Sequence, residues 1–288
     1  MFSFYKTSTD DKTAVLHINY IRWTDAGGWV SVSDIEVKSS GVESVEFATL
    51  DHSGLPKIIV SWSRFSAVDK QVSVYEMNAG ILAEVTSESY SVFSTCDFDG
   101  DGVSDIVAVH LDKEAGTSTA SLLSLTEQGF TKNSSCMLDG NVTSYYEPVI
   151  SSLADGTPAI FIDAAKSTGM ITEVLCISDG ALISIFSSPE VLGGENVRTL
   201  RASSVRSSDF DGDGSVDIPL AEKLPSPAGT QESDVTYMTT WNRVDGNMLT
   251  PMDHTIINYV DGYYVIIPDE WVGNITVQRN LDIRQRII

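Results

Sequence analysis

The amino-acid sequence predicts an all-β protein: a β-propeller of four-stranded blades, with five blades visible and a six- or seven-bladed ring as the larger closure. Three observations predict it. Two turn-and-strand frames recur along the chain with one common period. Apolar residues alternate between these anchors, where helical periodicity is hard to find. Turn residues return every 8 to 15 positions.

The first frame is Gly-x-x-x-Ile followed by an apolar run. It occurs as "GLPKIIVSW" from Gly54, "GVSDIVAV" from Gly102, "GTPAIFID" from Gly156 and "GSVDIPLA" from Gly214, at intervals of 48, 54 and 58 residues. The second frame is an alternating run, a polar turn with glycine and another run, which is a β-hairpin signal. It is centred on Gly80, Gly129, Gly180 and Gly246, at offsets of 26, 27, 24 and 32 from the paired first anchors. "IRWTDAGGWVSV" around Gly28 adds a fifth hairpin, "FSFY" at 2–5 a strand before it, and "GNITVQ" from Gly273 one more first anchor.

Each unit therefore reads as turn, strand, hairpin, strand in about 50 residues, the period of a propeller blade. Stacked β-sandwich modules are the alternative, but they need about 100 residues each. Residues 1–288 are assigned to one domain, with approximate blades at 1–48, 49–95, 96–149, 150–206 and 207–258, and 259–288 as a C-terminal β segment or partial blade. Residues 273–288 could pair with the N-terminal strands and close the ring; alternatively the chain is a fragment of a larger ring.

Composition narrows the function. The 288 residues carry 18 Lys and Arg against 40 Asp and Glu, a formal charge of −22. Such a surface repels phosphate backbones, so nucleic acid is excluded as a partner, and it suits a protein that meets cations. Cys96, Cys136 and Cys176 form no metal spacing and no complete disulfide set, and read as small buried residues. No run approaches the roughly 20 apolar residues of a membrane span, and the N-terminus has no apolar signal core.

The sharpest feature is "DFDGDGVSD", with Asp97, Asp99, Asp101 and Asp105, and its near copy "DFDGDGSVD", with Asp209, Asp211, Asp213 and Asp217. Carboxylates at positions 1, 3, 5 and 9 converge when such a loop coils tightly, and glycine at positions 4 and 6 permits the positive φ of the coil. All-oxygen ligation suits a hard cation such as calcium, with the carbonyls of Val103 and Ser215 at position 7. Two like charges about 4 Å apart repel by roughly 4 kcal/mol at an effective dielectric near 20, so the arrangement makes sense around a divalent ion. An EF-hand needs Glu at position 12 and flanking helices; here position 12 is Ala108 or Leu220 and a strand follows. Solvated acidic turns that bind nothing specific are the plain alternative.

These two motifs resemble the FG-GAP (VCBS) repeats of integrin-α-like β-propellers. The resemblance implies that each loop joins consecutive strands and binds calcium, giving two Ca²⁺ sites. Position by position it implies Asp97, Asp99, Asp101, the Val103 carbonyl and Asp105 in one site, and Asp209, Asp211, Asp213, the Ser215 carbonyl and Asp217 in the other. The blade frame extends the similarity over roughly residues 2–258. "LDHSGLPKII" departs from it by keeping only Asp51 and Ser53, and "LADGTPAIF" by keeping only Asp155, so those two loops are expected to hold no metal. The tail "HTIINYVDGYYVIIPDEWVGNITV" is similar to the end of FG-GAP-containing lipoproteins of Gram-positive bacteria. That implies an extracytoplasmic, cell-envelope location, with a lipid anchor and signal segment upstream of Met1.

No GxSxG, HExxH, Walker or GxGxxG pattern is present, and His17, His52, His110 and His254 are scattered among apolar neighbours. Trp29, Trp62, Tyr145, Tyr146, Trp241, Tyr263, Tyr264 and Trp271 sit at turns, with blade core favoured over sugar-stacking or partner-anchoring roles. Asn133, Asn141 and Asn274 head glycosylation sequons at near-chance frequency. The expected function is a calcium-stabilised binding or scaffold module that recognises a protein or glycan, with no catalytic residues assigned. Two alternatives stand beside it: a propeller-based polysaccharide-active enzyme, either lyase or glycoside hydrolase, and a structural part of a larger envelope assembly.

Overall fold

A computed structural model describes residues 1–8, 14–63, 70–187, 194–226, 229–231, 235–259, 262–280 and 285–287. They are arranged in antiparallel sheets. The first is β1 (Phe2–Ser8), β2 (Ala14–Thr24) and β3 (Gly28–Val37). The next two are four-stranded: β4 (Gly41–Ala48), β5 (Lys57–Ser63), β6 (Lys70–Asn78) and β7 (Ile81–Tyr90), then β8 (Val92–Cys96), β9 (Asp105–Asp112), β10 (Thr117–Thr126) and β11 (Gly129–Leu138).

In the fourth sheet β12 (Val142–Tyr145) and β13 (Val149–Ser152) both pair with β14 (Pro158–Lys166), which continues through β15 (Gly169–Ser178) to β16 (Ala181–Ser184). The fifth is β17 (Ile218–Lys223), β18 (Tyr237–Asp245), β19 (Met248–Asn258) and β20 (Tyr263–Ile266). Short strands β21 (Gln278–Asn280) and β22 (Gln285–Ile287) pair with each other. The chain is thus all-β with propeller-type blades; among the described residues the one helical element is a 3₁₀ turn at Asp269–Trp271, and no helix is long and apolar enough to cross a membrane.

All five hairpin anchors fall where the sequence places them: Gly28 opens β3, Gly80 precedes β7, Gly129 opens β11, Gly180 precedes β16 and Gly246 precedes β19. Ala79–Gly80 and Asp179–Gly180 both have two successive positive φ values, 50° and 85°, then 51° and 76°. This is the twist of two-residue hairpin turns that suits right-handed strands. The sheets are offset from the sequence-defined units by one strand. The second, third and fourth begin upstream of Gly54, Gly102 and Gly156, so those turns lie inside a sheet, whereas the fifth begins at β17, after Gly214.

Contacts divide the chain into two compact units. Met1–Asp112, Ser118–Cys136 and Ser178–Leu182 form the first; Lys113–Thr117, Met137–Ile177 and Ile183–Ile288 form the second. In the first, β5 shows why its sequence carries apolar residues at successive positions, Ile58, Ile59 and Val60. Side chains alternate across a strand. Ile58, Val60 and Trp62 pack with Leu16 and Ile18 of β2, while Ile59 packs with Ile106 and Ala108 of β9. A strand covered on both faces has no polar face to show. In the second unit Ala159 and Phe161 of β14 pack with Val216, Ile218 and Val244 of the fifth sheet, and Met238 and Ile256 pack with Ile267 and Val277.

Two expectations need correction. Cys176 is buried, but Cys96 and Cys136 are only half-buried, and none of the three forms a disulfide. Of the turn aromatics, Trp62 and Trp241 are core residues, whereas Trp29, Tyr263, Tyr264 and Trp271 are exposed and Tyr145 and Tyr146 half-buried. Trp29 lies at the tip of the β2–β3 hairpin, Tyr263 and Tyr264 on the edge strand β20, and Trp271 at the end of the 3₁₀ turn.

Candidate metal centre

The two acidic loops occupy the same place in their sheets. The first joins β8 to β9 and is closed by Cys96 pairing with Asp105. The second leads into β17 and is closed by the matching bridge between Ser208 and Asp217. Inside each loop the carboxylates organise the backbone. Asp97 Oδ1 accepts the Gly100 N–H at 2.7 Å and its Oδ2 the Gly102 N–H at 2.9 Å. Asp99 accepts from the Asp101 N–H at 3.1 Å and Asp101 from the Val103 N–H at 2.7 Å. The second loop repeats this for Asp209 with Gly212 (2.8 Å) and Gly214 (3.0 Å), Asp211 with Asp213 (3.1 Å), and Asp213 with Ser215 (2.8 Å).

Such bonds from an Asp side chain to the backbone a few residues on hold a tight coil. Glycine is required twice per loop: φ is 78° and 85° at Gly100 and Gly102, and 79° and 92° at Gly212 and Gly214. One oxygen each of Asp99, Asp101, Asp211 and Asp213 is left free of these backbone bonds. In the first loop Asp97, Asp99 and Asp101 bring carboxylate oxygens within 4.8 Å of one another; in the second Asp209, Asp211 and Asp217 do so. That donor set is hard, anionic and all-oxygen, the chemistry of a calcium or similar cation site.

The ninth-position acids differ from the rest because they are buried. Asp105 is 9% exposed and Asp217 1%. Burial pushes both carboxyls above the ordinary value, the neighbouring aspartates adding to the push. Asp105 is satisfied by the Ser124 hydroxyl, which donates to Oδ1 at 2.9 Å. Asp217 accepts the Phe210 N–H on Oδ2 at 3.2 Å, and its Oδ1 is buried with no hydrogen-bond partner. A buried carboxylate oxygen without a donor is costly, and a cation among Asp209, Asp211 and Asp217 would satisfy it. The residues present therefore fit a bound cation. Of the ten sequence-assigned ligands the eight carboxylates lie in these loops; Val103 and Ser215 lie half-buried at the seventh positions.

The structure adds residues that the sequence did not single out. Arg243 on β18 reaches the second loop: its Nη2 is 3.4 Å from Asp211 Oδ2 and also contacts Asp213 Oδ2. The Ser215 N–H, with the Arg243 charge adding to it, holds the Asp213 carboxyl below its usual value. Among the described residues no Lys or Arg pairs with Asp97, Asp99, Asp101 or Asp105. In the acid-poor loop before β5 the Lys57 ammonium lies 2.9 Å from Asp51 Oδ2, a side-chain cation beside the surviving acid.

Each acidic loop also docks on the acid-poor loop or adjoining strand of the preceding sheet. The Ser104 N–H donates to the Thr49 carbonyl at 2.7 Å. The Val216 N–H donates to Ser151 Oγ at 3.0 Å, and that hydroxyl donates to the Gly214 carbonyl at 3.3 Å. Ordering an acidic loop therefore also orders a contact between neighbouring sheets.

No family model matches the chain, and no curated protein matches it. Solved structures do. The rhamnogalacturonan lyase YesW is similar at 9% identity over 89% of this chain and 68% of its own, with a TM-score of 0.46. A Bacillus licheniformis rhamnogalacturonan lyase, PL11, is similar at 12% identity over 85% of this chain, TM-score 0.46; the match spans 52%, about half, of that lyase. A Lactobacillus plantarum protein is similar at 9% identity over 93% of this chain and 82% of its own, TM-score 0.35. Likeness at this level assigns neither substrate nor residues.

Proposed function

We propose that this chain is a calcium-stabilised β-propeller module of the FG-GAP type, acting at the cell envelope as a binding or scaffold element for a protein or glycan. The observation that carries the metal half is the pair of matched loops, each with three carboxylates within 4.8 Å, together with the partnerless buried oxygen of Asp217. In this proposal Asp97, Asp99, Asp101, Asp105 and the Val103 carbonyl hold one ion, and Asp209, Asp211, Asp213, Asp217 and the Ser215 carbonyl the other. The ions replace mutual repulsion with attraction, fix two turns within their sheets and stiffen the contacts to Thr49 and Ser151.

Recognition belongs to exposed aromatics in this account. Trp23 and Trp29 face each other across the β2–β3 hairpin, 55% and 57% exposed, with ring centroids 5.4 Å apart and edge-to-face. Aromatic faces of this kind stack on sugar rings and anchor partners. Calorimetric titration with calcium tests the metal half, with two ions per chain expected and no uptake contradicting it. Retardation in gels containing acidic or neutral polysaccharide, compared between wild type and a Trp23→Ala/Trp29→Ala variant, tests the glycan half. Equal mobility in every gel contradicts it.

A further inference from the structure

We infer that Arg243 is a resident cation of the second acidic loop, competing there with the divalent ion, so that the two loops bind with unequal affinity and the first fills first. This inference rests on the calcium reading of the loops and deepens it.

The two loops share sequence, glycine geometry and backbone hydrogen bonds, yet their carboxylates converge differently. In the first loop the third member of the cluster is Asp101; in the second it is Asp217, and the counterpart of Asp101, Asp213, stands outside the trio. The physical reason is the Arg243 guanidinium. Asp211 and Asp213 each spend Oδ1 on a backbone N–H, and the Oδ2 that each has left faces the Arg243 guanidinium. These are the oxygens that a cation would use. The buried Oδ1 of Asp217 lacks any partner, so the guanidinium neutralises the outer acids without satisfying the inner one.

Arg243 is also imperfectly satisfied in this pose. Its Nε is buried with no acceptor, and an unmade buried hydrogen bond favours release. A dication coordinated by Asp209, Asp211, Asp213 and Asp217 would repel the guanidinium and take its oxygens. The side chain, 26% exposed, has a route outward. The chain uses the same device elsewhere: Lys57 supplies the positive charge at Asp51 in the acid-poor loop. Three of the four loops thus differ in step: an internal cation beside a single acid at Asp51, an internal cation over a full acid set at Asp211 and Asp213, and a full acid set with no Lys or Arg paired to it among the described residues at Asp97–Asp105.

The test is calcium calorimetry together with thermal melts on the full chain, using Asp99→Asn to disable the first loop. Wild type should show two affinities and Asp99→Asn should retain the weaker one. Adding Arg243→Gln to Asp99→Asn should tighten that site at least tenfold, or about 1.4 kcal/mol. In chelator, Arg243→Gln should melt lower than wild type, and saturating calcium should remove the difference. Arg243→Lys, which keeps charge but loses the planar fork, should fall between and guards against a misfolded Gln variant. An unchanged or weaker site in both Arg243 variants overturns the inference while leaving calcium binding intact. A melting loss of equal size with and without calcium also overturns it, since that marks a merely structural arginine. Absence of calcium heat in every chain, wild type included, overturns the calcium reading itself.

Discussion

Ser124 on β10 donates its hydroxyl proton to Asp105 Oδ1 at 2.9 Å, giving that buried oxygen of the first loop a donor that the buried Oδ1 of Asp217 in the second loop lacks. This single bond predicts a difference between the loops in the absence of metal. Ser124→Ala should cost about 2 kcal/mol in chelator, the range for a hydrogen bond to a buried charged group, read by urea unfolding. A loss below about 0.5 kcal/mol would mean that Asp105 is satisfied some other way.

Asp97 and Asp99 should separate folding from metal binding. Asp97 accepts two backbone N–H groups, whereas Asp99 accepts one from its near neighbour and is exposed. Asp97→Ala should therefore destabilise the chain in chelator by about 1–2 kcal/mol. Asp99→Asn should leave chelator stability within about 0.5 kcal/mol and remove one calcium equivalent. Equal melting losses in chelator would contradict the division of labour.

The second unit holds a buried ion pair. Arg201 Nη2 lies 2.8 Å from Asp163 Oδ1; the guanidinium also donates to Thr172 Oγ1 at 2.9 Å and to the Val205 carbonyl at 2.7 Å. Asp163 in turn accepts the Ser207 N–H at 2.8 Å, so the network ties the segment around 201–207 to β14 and β15. Arg201→Met leaves a buried, uncompensated carboxylate, and breaking such a pair costs about 3–5 kcal/mol. Urea unfolding measures it; a cost below about 1 kcal/mol would show that the network does not hold the segment.

Acid sensitivity has an identifiable source at Asp51. Ser53, through its hydroxyl and its N–H, and the Lys57 ammonium hold the Asp51 carboxyl down at about 2, against an ordinary 3.8. A depressed carboxyl contributes stability that is present above the unfolded value and lost as pH falls from about 3.8 through about 2. Asp51→Asn should melt lower than wild type at neutral pH, and the two curves should converge as pH approaches 2. Parallel melting curves across that window would contradict the assignment.

Much of the fold was legible because turn chemistry is local. A Gly that must adopt positive φ, such as Gly80 or Gly102, announces its turn in the sequence, and the apolar run after it announces a strand. The eight carboxylates were legible for the same reason, since an alternating acid–glycine loop has few ways to coil. Ser124 and Arg243 were not, because they reach the loops from β10 and β18, across strand pairings whose register the one-dimensional pattern does not fix. Trp23 was missed as the partner of Trp29 for a related reason: its position opposite depends on the hairpin register.

The most direct measurement is the melting temperature of the full chain in excess chelator and across a free-calcium series. Each site saturated to 100 times its dissociation constant adds about 2.7 kcal/mol. At about 2–4 °C per kcal/mol, two sites should raise the midpoint by roughly 10 °C or more, saturably, with magnesium far less effective. A midpoint that is the same in chelator and in millimolar calcium would contradict the account.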